Sequence, residues 1–226
     1  MALTDEAITR LRSMIQSGEL PPGSRLPSEN QLAVEMGLSR SGVREAVKVL
    51  EAARVLEVRR GDGTFVTSLA PGLLLEGVGF AVELLQGETL LEVMEVRRLL
   101  EPAATGLAAL KITDSELADL AAVLQQMQDR ADDADGLMQA DVAFHHLVIS
   151  STGNETLTSL LDGLSGRTVR ARVWRGIVEG NVTQVTIDEH RAIYLALSAH
   201  DPALATAAAL LHVNTSESWL RARLTA

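Results

Sequence analysis

The chain has 226 residues, of which 46% are hydrophobic, enough for two modest domains with substantial cores. No apolar run reaches the roughly 18 to 20 residues that span a bilayer, and the absence of cysteine excludes disulfides and thiolate metal ligands. The N-terminus lacks the basic and then apolar pattern of a signal peptide, so we expect a soluble cytoplasmic protein with no membrane partner.

The net charge of −10 is unevenly distributed along the chain. Residues 1–70 hold nine basic and nine acidic side chains, which leaves eleven basic and twenty-one acidic ones in residues 71–226. Within Ser39–Arg60, six basic residues face three acidic ones. Because proteins bind nucleic acid largely by neutralising phosphates with Lys and Arg, the acidic part is excluded as a DNA-binding surface.

The first 70 residues predict a winged helix-turn-helix. Apolar residues at helical spacing, with Ser39 as an N-cap and Gly37 as a stop, indicate three helices at Thr4–Ser17, Gln31–Met36 and Ser39–Leu50. Gly18–Leu26 contains two prolines and is predicted as a loop. Alternating patterns around a tight turn predict a hairpin with strands at Val55–Arg59 and Thr64–Thr67.

The third predicted helix has the chemistry of a recognition helix. Val43, Val47 and Leu50 form its apolar side, and its other side carries Arg40, Ser41, Arg44 and Lys48. Arginine can pair with guanine in a major groove, and serine can reach phosphate. A solvated amphipathic helix is the alternative for this segment taken alone. The wing tip adds Arg59 and Arg60 beside two glycines.

After a short linker, Ser68–Gly72, the strand patterns end and Ala and Leu dominate. Capping signals at Thr89, at Thr113 with Glu116, and at Asp201 before Pro202 support the starts of the helices. The predicted helices are Leu73–Gln86, Thr89–Leu110, Thr113–Ala131, Ala134–Ser151, Glu155–Val178, Gln184–Ala199 and Pro202–Arg223. The fold is therefore mostly α, with a winged domain at 1–70 and an all-helical antiparallel bundle at 71–226.

Three histidines and an aspartate of the bundle could meet at one point. Asp141 and His145 are one helical turn apart, while His190 and His212 lie on the sixth and last bundle helices. One carboxylate and three imidazoles can bind zinc, and nickel or manganese are alternatives. Hydrogen-bonded core histidines are the alternative for each residue alone. We expect His146, about 100° away on its helix, and the helix-end His200 to lie outside the group.

Arg97 lies on an otherwise apolar helical face. An inward arginine requires an anion, which a small carboxylate held jointly by the guanidinium and a metal ion could supply. An ion pair with Glu101, four residues later, is the alternative. Of the other bundle residues, we expect Arg167, Arg170, Arg172 and Arg175 to be solvated or to face a dimer partner, and Trp174 and Trp219 to be packing residues.

Residues 5–67 resemble the DNA-binding domain of the GntR family of bacterial transcription regulators. The match runs through Pro22-Gly23-Ser24-Arg25-Leu26-Pro27-Ser28-Glu29, Leu38-Ser39-Arg40, Val43-Arg44-Glu45-Ala46 and Gly61-Asp62-Gly63-Thr64-Phe65-Val66. The resemblance implies operator contacts by Ser39, Arg40, Ser41 and Arg44, with Arg60 and Gly61 in the minor groove. Two positions depart from the family pattern: Asn30 replaces an arginine of fatty-acid-responsive members, and Arg54 replaces a usual glycine.

The bundle resembles the FCD effector-binding domain of the FadR subfamily. The matching motifs are Glu95-Val96-Arg97 with Leu100-Glu101-Pro102, then Asp141 with Phe144-His145, Gly153-Asn154, Glu189-His190 and His212. In metal-containing members an Asp, a His four residues later and two further His coordinate the ion. The resemblance implies these roles for Asp141, His145, His190 and His212, and an effector contact for Arg97.

The leading hypothesis is a transcription repressor that is not an enzyme. A homodimer would bind a palindromic double-stranded operator, and a small carboxylic acid in the metal-containing pocket would control that binding. A metal-dependent hydrolase and a DNA-binding dimer with a purely structural metal are the alternatives. The sequence contains no HExxH-like glutamate or nucleophile motif beside the proposed ligands, which disfavours the hydrolase.

Overall fold

The computed structural model of the chain describes residues 3–165 and 182–224. The chain forms two compact units, Met1–Gly77 and Val78–Ala226. The first holds a small sheet among helices, and the regular elements described in the second are all helices. The predicted domain boundary at residue 70 stays a prediction.

The winged part of the first unit contains three helices and a hairpin, as predicted; the unit also includes the short helix Pro71–Leu74 and the start of the next one. The elements of the winged part are α1 (Leu3–Gln16), α2 (Glu29–Met36), α3 (Arg40–Ala52), β1 (Leu56–Arg59) and β2 (Gly63–Val66). The strands pair antiparallel, with Leu56 opposite Val66 and Arg59 opposite Gly63. Apolar faces of all three helices and both strands meet in one core, which includes the fully buried Leu11 and Val43.

Local capping fixes the helix-turn-helix. Ser28 and Gln31 form a capping box at the start of α2, and Gly37 ends that helix in the left-handed conformation, at φ 63°. The hydroxyl of Ser39 accepts a hydrogen bond from the Gly42 backbone amide, which starts α3. The turn between the two helices is therefore specified at both ends.

The last residues of the predicted loop Gly18–Leu26 pair with the sheet. The Leu26 amide donates to the Thr64 carbonyl at 2.8 Å, and the Val66 amide donates to the Ser24 carbonyl at 2.9 Å. A short third stretch of extended chain thus lies beside β2 and ties the wing to the unit. The two prolines in this segment obscured its strand-like end.

The second part of the chain is helical, with the bounds α4 (Pro71–Leu74), α5 (Glu76–Leu84), α6 (Thr89–Ala109), α7 (Asp114–Asp129), α8 (Ala134–Ser150), α9 (155–165), α10 (Val182–Ser198) and α11 (Pro202–Leu224). The predicted helix Leu73–Gln86 is thus two helices that break at Leu75, and the predicted Glu155–Val178 is described only to residue 165. None of the described helices is long and apolar enough to cross a membrane.

Two of the three predicted caps in this part of the chain are confirmed. Thr113 and Glu116 form a capping box, and the Asp201 carboxylate accepts from the amides of Ala203 and Leu204. The predicted start of α6 at Thr89 is confirmed, but its capping role was wrong, because the N-cap position is Glu88, which adopts a helical conformation and makes no side-chain cap bond. Thr89 is therefore already inside the helix.

Helices α6 and α11 run antiparallel in close contact. Met94 near the start of α6 packs with Val213 and Leu220 near the end of α11. At the other end, a Cβ atom on Gly106 would collide with the Thr206 hydroxyl and lie 3.1 Å from the Pro202 carbonyl oxygen. The absence of a side chain at Gly106 allows the two helices to approach this closely.

Candidate functional site

Four buried side chains of the bundle converge on one centre. Asp141 and His145 come from α8, His190 from α10 and His212 from α11. One potential ligand atom from each residue lies within 4.8 Å of the others. Donors about 2.1 Å from an ion lie at most about 4.2 Å apart, so an ion could be bound after shifts below about 1 Å. The group therefore could hold a metal ion.

Hydrogen bonds orient the rings of His190 and His212, and a close carboxylate contact orients that of His145. The Nδ1 atom of His190 lies 2.7 Å from the Thr186 carbonyl oxygen, and that of His212 lies 2.9 Å from Oε2 of Glu189. The Nδ1 atom of His145 lies 2.6 Å from Oε1 of Glu101. A carbonyl or carboxylate oxygen accepts only, so Nδ1 of His190 and Nδ1 of His212 carry a proton and donate it. In the neutral rings the lone pair is then on Nε2.

One contact within the group needs a proton or a metal ion between its two atoms. Nε2 of His190 lies 3.2 Å from Oδ1 of Asp141, and both residues are almost fully buried. In a neutral His190 with its proton on Nδ1, two lone pairs would face each other without a hydrogen atom between them. Either a proton shared between the two atoms or a metal ion bound by both removes this repulsion.

The group has an apolar wall on one side. The Phe144 ring is fully buried, and its centroid lies 4.6 Å from that of His190 in an edge-on arrangement. The His190 and His212 centroids are 4.5 Å apart. Rings held this closely have little freedom to reorient, and the apolar wall strengthens electrostatic interactions with any ion or acid at the centre.

Arg97 and Glu101 extend the group along α6. The Glu101 Oε2 atom accepts from both Nε and Nη2 of Arg97, at 3.0 and 2.7 Å, while its other oxygen contacts His145. Both side chains of this pair are buried, at 0% and 4% exposure. The ion-pair alternative for Arg97 is thus present, and the same carboxylate also orients a histidine of the group. The effector contact of Arg97 stays a prediction.

Sequence reasoning missed the two glutamates that orient histidines, Glu101 and Glu189. Each is far along the chain from its histidine, so only the tertiary fold brings the pairs together. One signal was available for Glu101, since it follows Arg97 by one turn and therefore shares the buried face of α6. Glu189 adjoins His190 yet contacts His212, which no spacing rule indicates.

His146 and His200 lie outside the group, as expected. Nδ1 of His146 contacts Oδ2 of Asp162 at 2.8 Å, and both side chains are largely exposed. Nδ1 of His200 lies 3.0 Å from the Ala109 carbonyl oxygen at the end of α6. The predicted arginines Arg167, Arg170, Arg172 and Arg175, and Trp174, lie outside the described residues. Trp219 packs against the cluster of Met94, Val213 and Leu220.

The predicted recognition helix α3 presents its basic side to solvent. Arg44 donates from Nε to Oε2 of Glu29 on α2 at 3.0 Å, and its Nη2 lies 3.0 Å from the same oxygen. Nε of Arg40 is 3.8 Å from that oxygen. The hydrogen bond with Glu29, followed by its negative charge, raises the pKa of Arg44, which keeps the guanidinium charged.

The two predicted serines lie at the start of the same helix. Ser39 is the N-cap, and its hydroxyl lies 3.2 Å from that of the exposed Ser41. The side chain of Ser39 thus already has a structural role in starting α3. DNA contacts by Ser39, Arg40, Ser41 and Arg44 stay predictions.

The wing carries two neighbouring arginines, one at the end of β1 and one in its turn. Arg59 lies over the Phe65 ring, 4.3 Å from its centroid, and pairs with Glu57. Arg60 and Gly61 form the exposed turn, where Gly61 has a φ of 79°. Glycine adopts this conformation without steric cost. Minor-groove contacts by Arg60 and Gly61 stay predictions.

Both parts of the chain match known protein families. Residues 3–66 match the family described as bacterial regulatory proteins, gntR family, and residues 92–215 match the FCD domain. The chain is 33% identical to the HTH-type transcriptional regulator LutR of Bacillus subtilis, over 92% of this chain and 96% of LutR. It is also 33% identical to the galactonate operon transcriptional repressor of Escherichia coli, over 96% of each chain.

A solved structure has the same architecture. The chain resembles Streptococcus agalactiae GntR with a TM-score of 0.67 and 29% identity, over 95% of this chain and 99% of that one. The likeness thus includes both the winged part and the helical part.

Proposed function

Because the chain belongs to the GntR family of bacterial regulatory proteins and carries an FCD domain, we propose that it is a cytoplasmic, homodimeric repressor controlled by a small organic acid. The family consists of DNA-binding transcription regulators rather than enzymes. Two winged domains related by two-fold symmetry would bind the half-sites of a palindromic operator. The galactonate relative is described as a repressor, which supports repression rather than activation here.

Asp141, His145, His190 and His212 would hold a divalent ion, zinc first, with nickel or manganese as alternatives. The observation that carries this assignment is the approach of His190 Nε2 to Asp141 Oδ1 while His190 Nδ1 is held by a carbonyl. The glutamates on His145 and His212 support it, because histidine ligands of metals usually donate their second N–H to such acceptors. A bound ion would supply Lewis-acidic positions beyond its four protein ligands.

The effector would be a small carboxylate bound near Arg97. The relative that represses a galactonate operon supports a hydroxylated acid, which could use a carboxylate and a hydroxyl oxygen together. Arg97 is already held by Glu101, so an acid that approaches it adds a second anion to one guanidinium. The acid changes DNA affinity only as far as it prefers one arrangement of the protein over another.

Paired substitutions of adjacent histidines test the metal assignment. We expect His145→Ala to lose bound metal and His146→Ala to retain it, because the first side chain belongs to the buried group and the second to an exposed pair. Elemental analysis of the purified proteins measures metal per chain. Equal metal content in both variants, or none in the unchanged protein, would contradict the assignment.

Titration with acids distinguishes a metal that takes part in effector sensing from a metal that only stabilises the fold. Operator affinity is compared with and without galactonate and related hydroxy acids, in the metal-loaded and the chelated protein. For a sensor, we expect the acids to weaken DNA binding and to do so only with metal present. A structural metal would instead change thermal stability upon chelation and leave the DNA affinity insensitive to every acid.

A further inference from the structure

Glu29 and Arg44 form a two-point side-chain contact on the exposed face of the winged unit. The glutamate is the first residue of α2, and the arginine projects from the second turn of α3. Both side chains are partly exposed, at 33% for Glu29 and 48% for Arg44. A carboxylate in a DNA-binding surface opposes phosphate, so its position here needs a reason.

The geometry of the contact leaves one edge of the guanidinium available. Oε2 of Glu29 lies 3.0 Å from both Nε and Nη2 of Arg44, which is the side edge of the planar group. A guanidinium has five N–H donors in a fixed plane. Its end edge, formed by Nη1 and the second hydrogen of Nη2, can pair with two acceptors at once. Guanine offers such a pair, O6 and N7, in the major groove.

We propose that Glu29 is a positioning residue that holds Arg44 for bidentate pairing with a guanine and disfavours its pairing with phosphate. The proposal rests on the proposed DNA contact of Arg44. The carboxylate would order a long, flexible side chain before binding, which reduces the entropy lost in the complex. Its charge repels the phosphate backbone, so Glu29 lowers affinity for a duplex that offers Arg44 only phosphate, while its orienting effect raises affinity for a duplex with the guanine in place.

Three substitutions separate two effects of Glu29: the orientation of Arg44 and the repulsion of phosphate by the negative charge. Glu29→Ala removes both, Glu29→Gln retains an oxygen acceptor without the charge, and Glu35→Ala removes a comparable exposed carboxylate from the same helix. Because Glu29 also adds negative charge to the first turn of α2, Glu29→Ala is expected to lower helix stability slightly. The ratio of specific to non-specific DNA affinity does not report that structural effect.

The test begins by selecting duplexes from a randomised DNA library with the unchanged full-length protein. Fluorescence anisotropy then measures affinities for the selected duplex and for an alternating A·T duplex. We expect Glu29→Ala to bind the selected duplex about three- to tenfold more weakly and the A·T duplex about threefold more tightly. Its salt dependence should steepen by about one unit of slope. Glu29→Gln should keep part of the specificity, and Glu35→Ala should keep all of it.

The base that Arg44 contacts is identified independently. Arg44→Ala should lose discrimination at one G·C pair, and replacing that guanine by 7-deazaguanine should weaken the unchanged protein but not Arg44→Ala. The proposal is overturned if Glu29→Ala keeps the specificity ratio within twofold of the unchanged protein, or if Arg44 proves to discriminate no G·C pair. A protein that selects no sequence at all would instead contradict the proposed function.

Discussion

Each of the two units contains an arginine–glutamate pair at hydrogen-bond distance, and the two pairs differ in burial. In the winged unit Arg44 and Glu29 join α3 to α2 and remain half exposed. In the bundle Arg97 and Glu101 lie on one helix and are almost completely excluded from solvent. An exposed pair can adjust its geometry and admit a third group at little cost, whereas a buried pair cannot lose a partner without leaving a desolvated charge. The same chemistry therefore suits an adjustable contact in one unit and permanent organisation in the other.

The largest expected effect on stability comes from breaking the buried pair of Arg97 and Glu101. Glu101→Ala should lower the free energy of unfolding by about 3 to 5 kcal/mol, because it removes the carboxylate beside the buried Arg97 cation. Urea unfolding followed by tryptophan fluorescence reports on this part of the chain, since both tryptophans follow residue 78. Glu29→Ala, followed by circular dichroism, serves as the exposed counterpart and should change stability little. Similar losses in both variants would contradict the contrast.

A smaller effect is expected at Arg54, which has a φ of 59°. A side chain in this left-handed region costs about 1 to 2 kcal/mol, and glycine avoids most of that cost. Arg54→Gly should therefore stabilise the winged unit by about 1 kcal/mol. The exposed ion pair between Arg54 and Glu76 that this change removes contributes little.

The neighbouring Ala53 provides the control for Arg54. Its φ is −81°, so Ala53→Gly gains no relief of strain and should destabilise the unit. Thermal unfolding followed by circular dichroism compares the two variants. Opposite changes in melting temperature support the interpretation, and a destabilised Arg54→Gly would refute it.

The smallest expected effect is a difference between the two capping boxes, one in each unit, in how their contribution to stability depends on pH. Hydrogen bonds from the backbone amide of Thr113 and then from its hydroxyl lower the pKa of Glu116. A carboxylate with a lowered pKa adds stability above the ordinary glutamate pKa, near about 4.3, and this contribution is lost as the pH falls through the folded-state pKa. The box of Ser28 and Gln31 contains no ionisable group and should not depend on pH.

Reciprocal substitutions test this difference. Glu116→Gln should cost about 0.5 kcal/mol at pH 7 and nothing at pH 3, since the exposed carboxylate gains modestly from the helix dipole. Gln31→Glu should gain a similar amount at pH 7. Unfolding free energies of both variants and the unchanged protein, measured at the two pH values, check the expectation. A pH-independent difference for Glu116→Gln would show that its charge contributes nothing.

The sequence predicted the helices well where both ends carried local signals. Ser39 and the Thr113 box are interactions between residues three apart, so they can be read without knowledge of the fold. The break at Leu75 and the N-cap position of Glu88 were missed, because neither depends on a side-chain cap. The sheet contact of Ser24 and Leu26 was missed because it joins segments some 40 residues apart.

The candidate metal group was predicted residue by residue, but its surroundings were not. The four members lie on helical faces that spacing rules can identify, and all four are buried together. The orienting contacts of Glu101, Thr186 and Glu189 depend on side-chain packing and rotamers, which periodicity does not reveal. Glu29 was missed for the same reason, since its partner Arg44 lies on the next helix.

Gly106 sets the distance between two helices of the bundle at a position away from the histidines. It lies between α6, which carries Glu101, and α11, which carries His212, where the two backbones nearly touch. Even a methyl group at this position would act as a wedge, moving the two helices apart and carrying Glu101 and His212 with them. A Gly106→Ala variant would retain all four candidate ligands and could still bind an ion less tightly. The cause would be one methyl group about a turn and a half from Glu101 along α6.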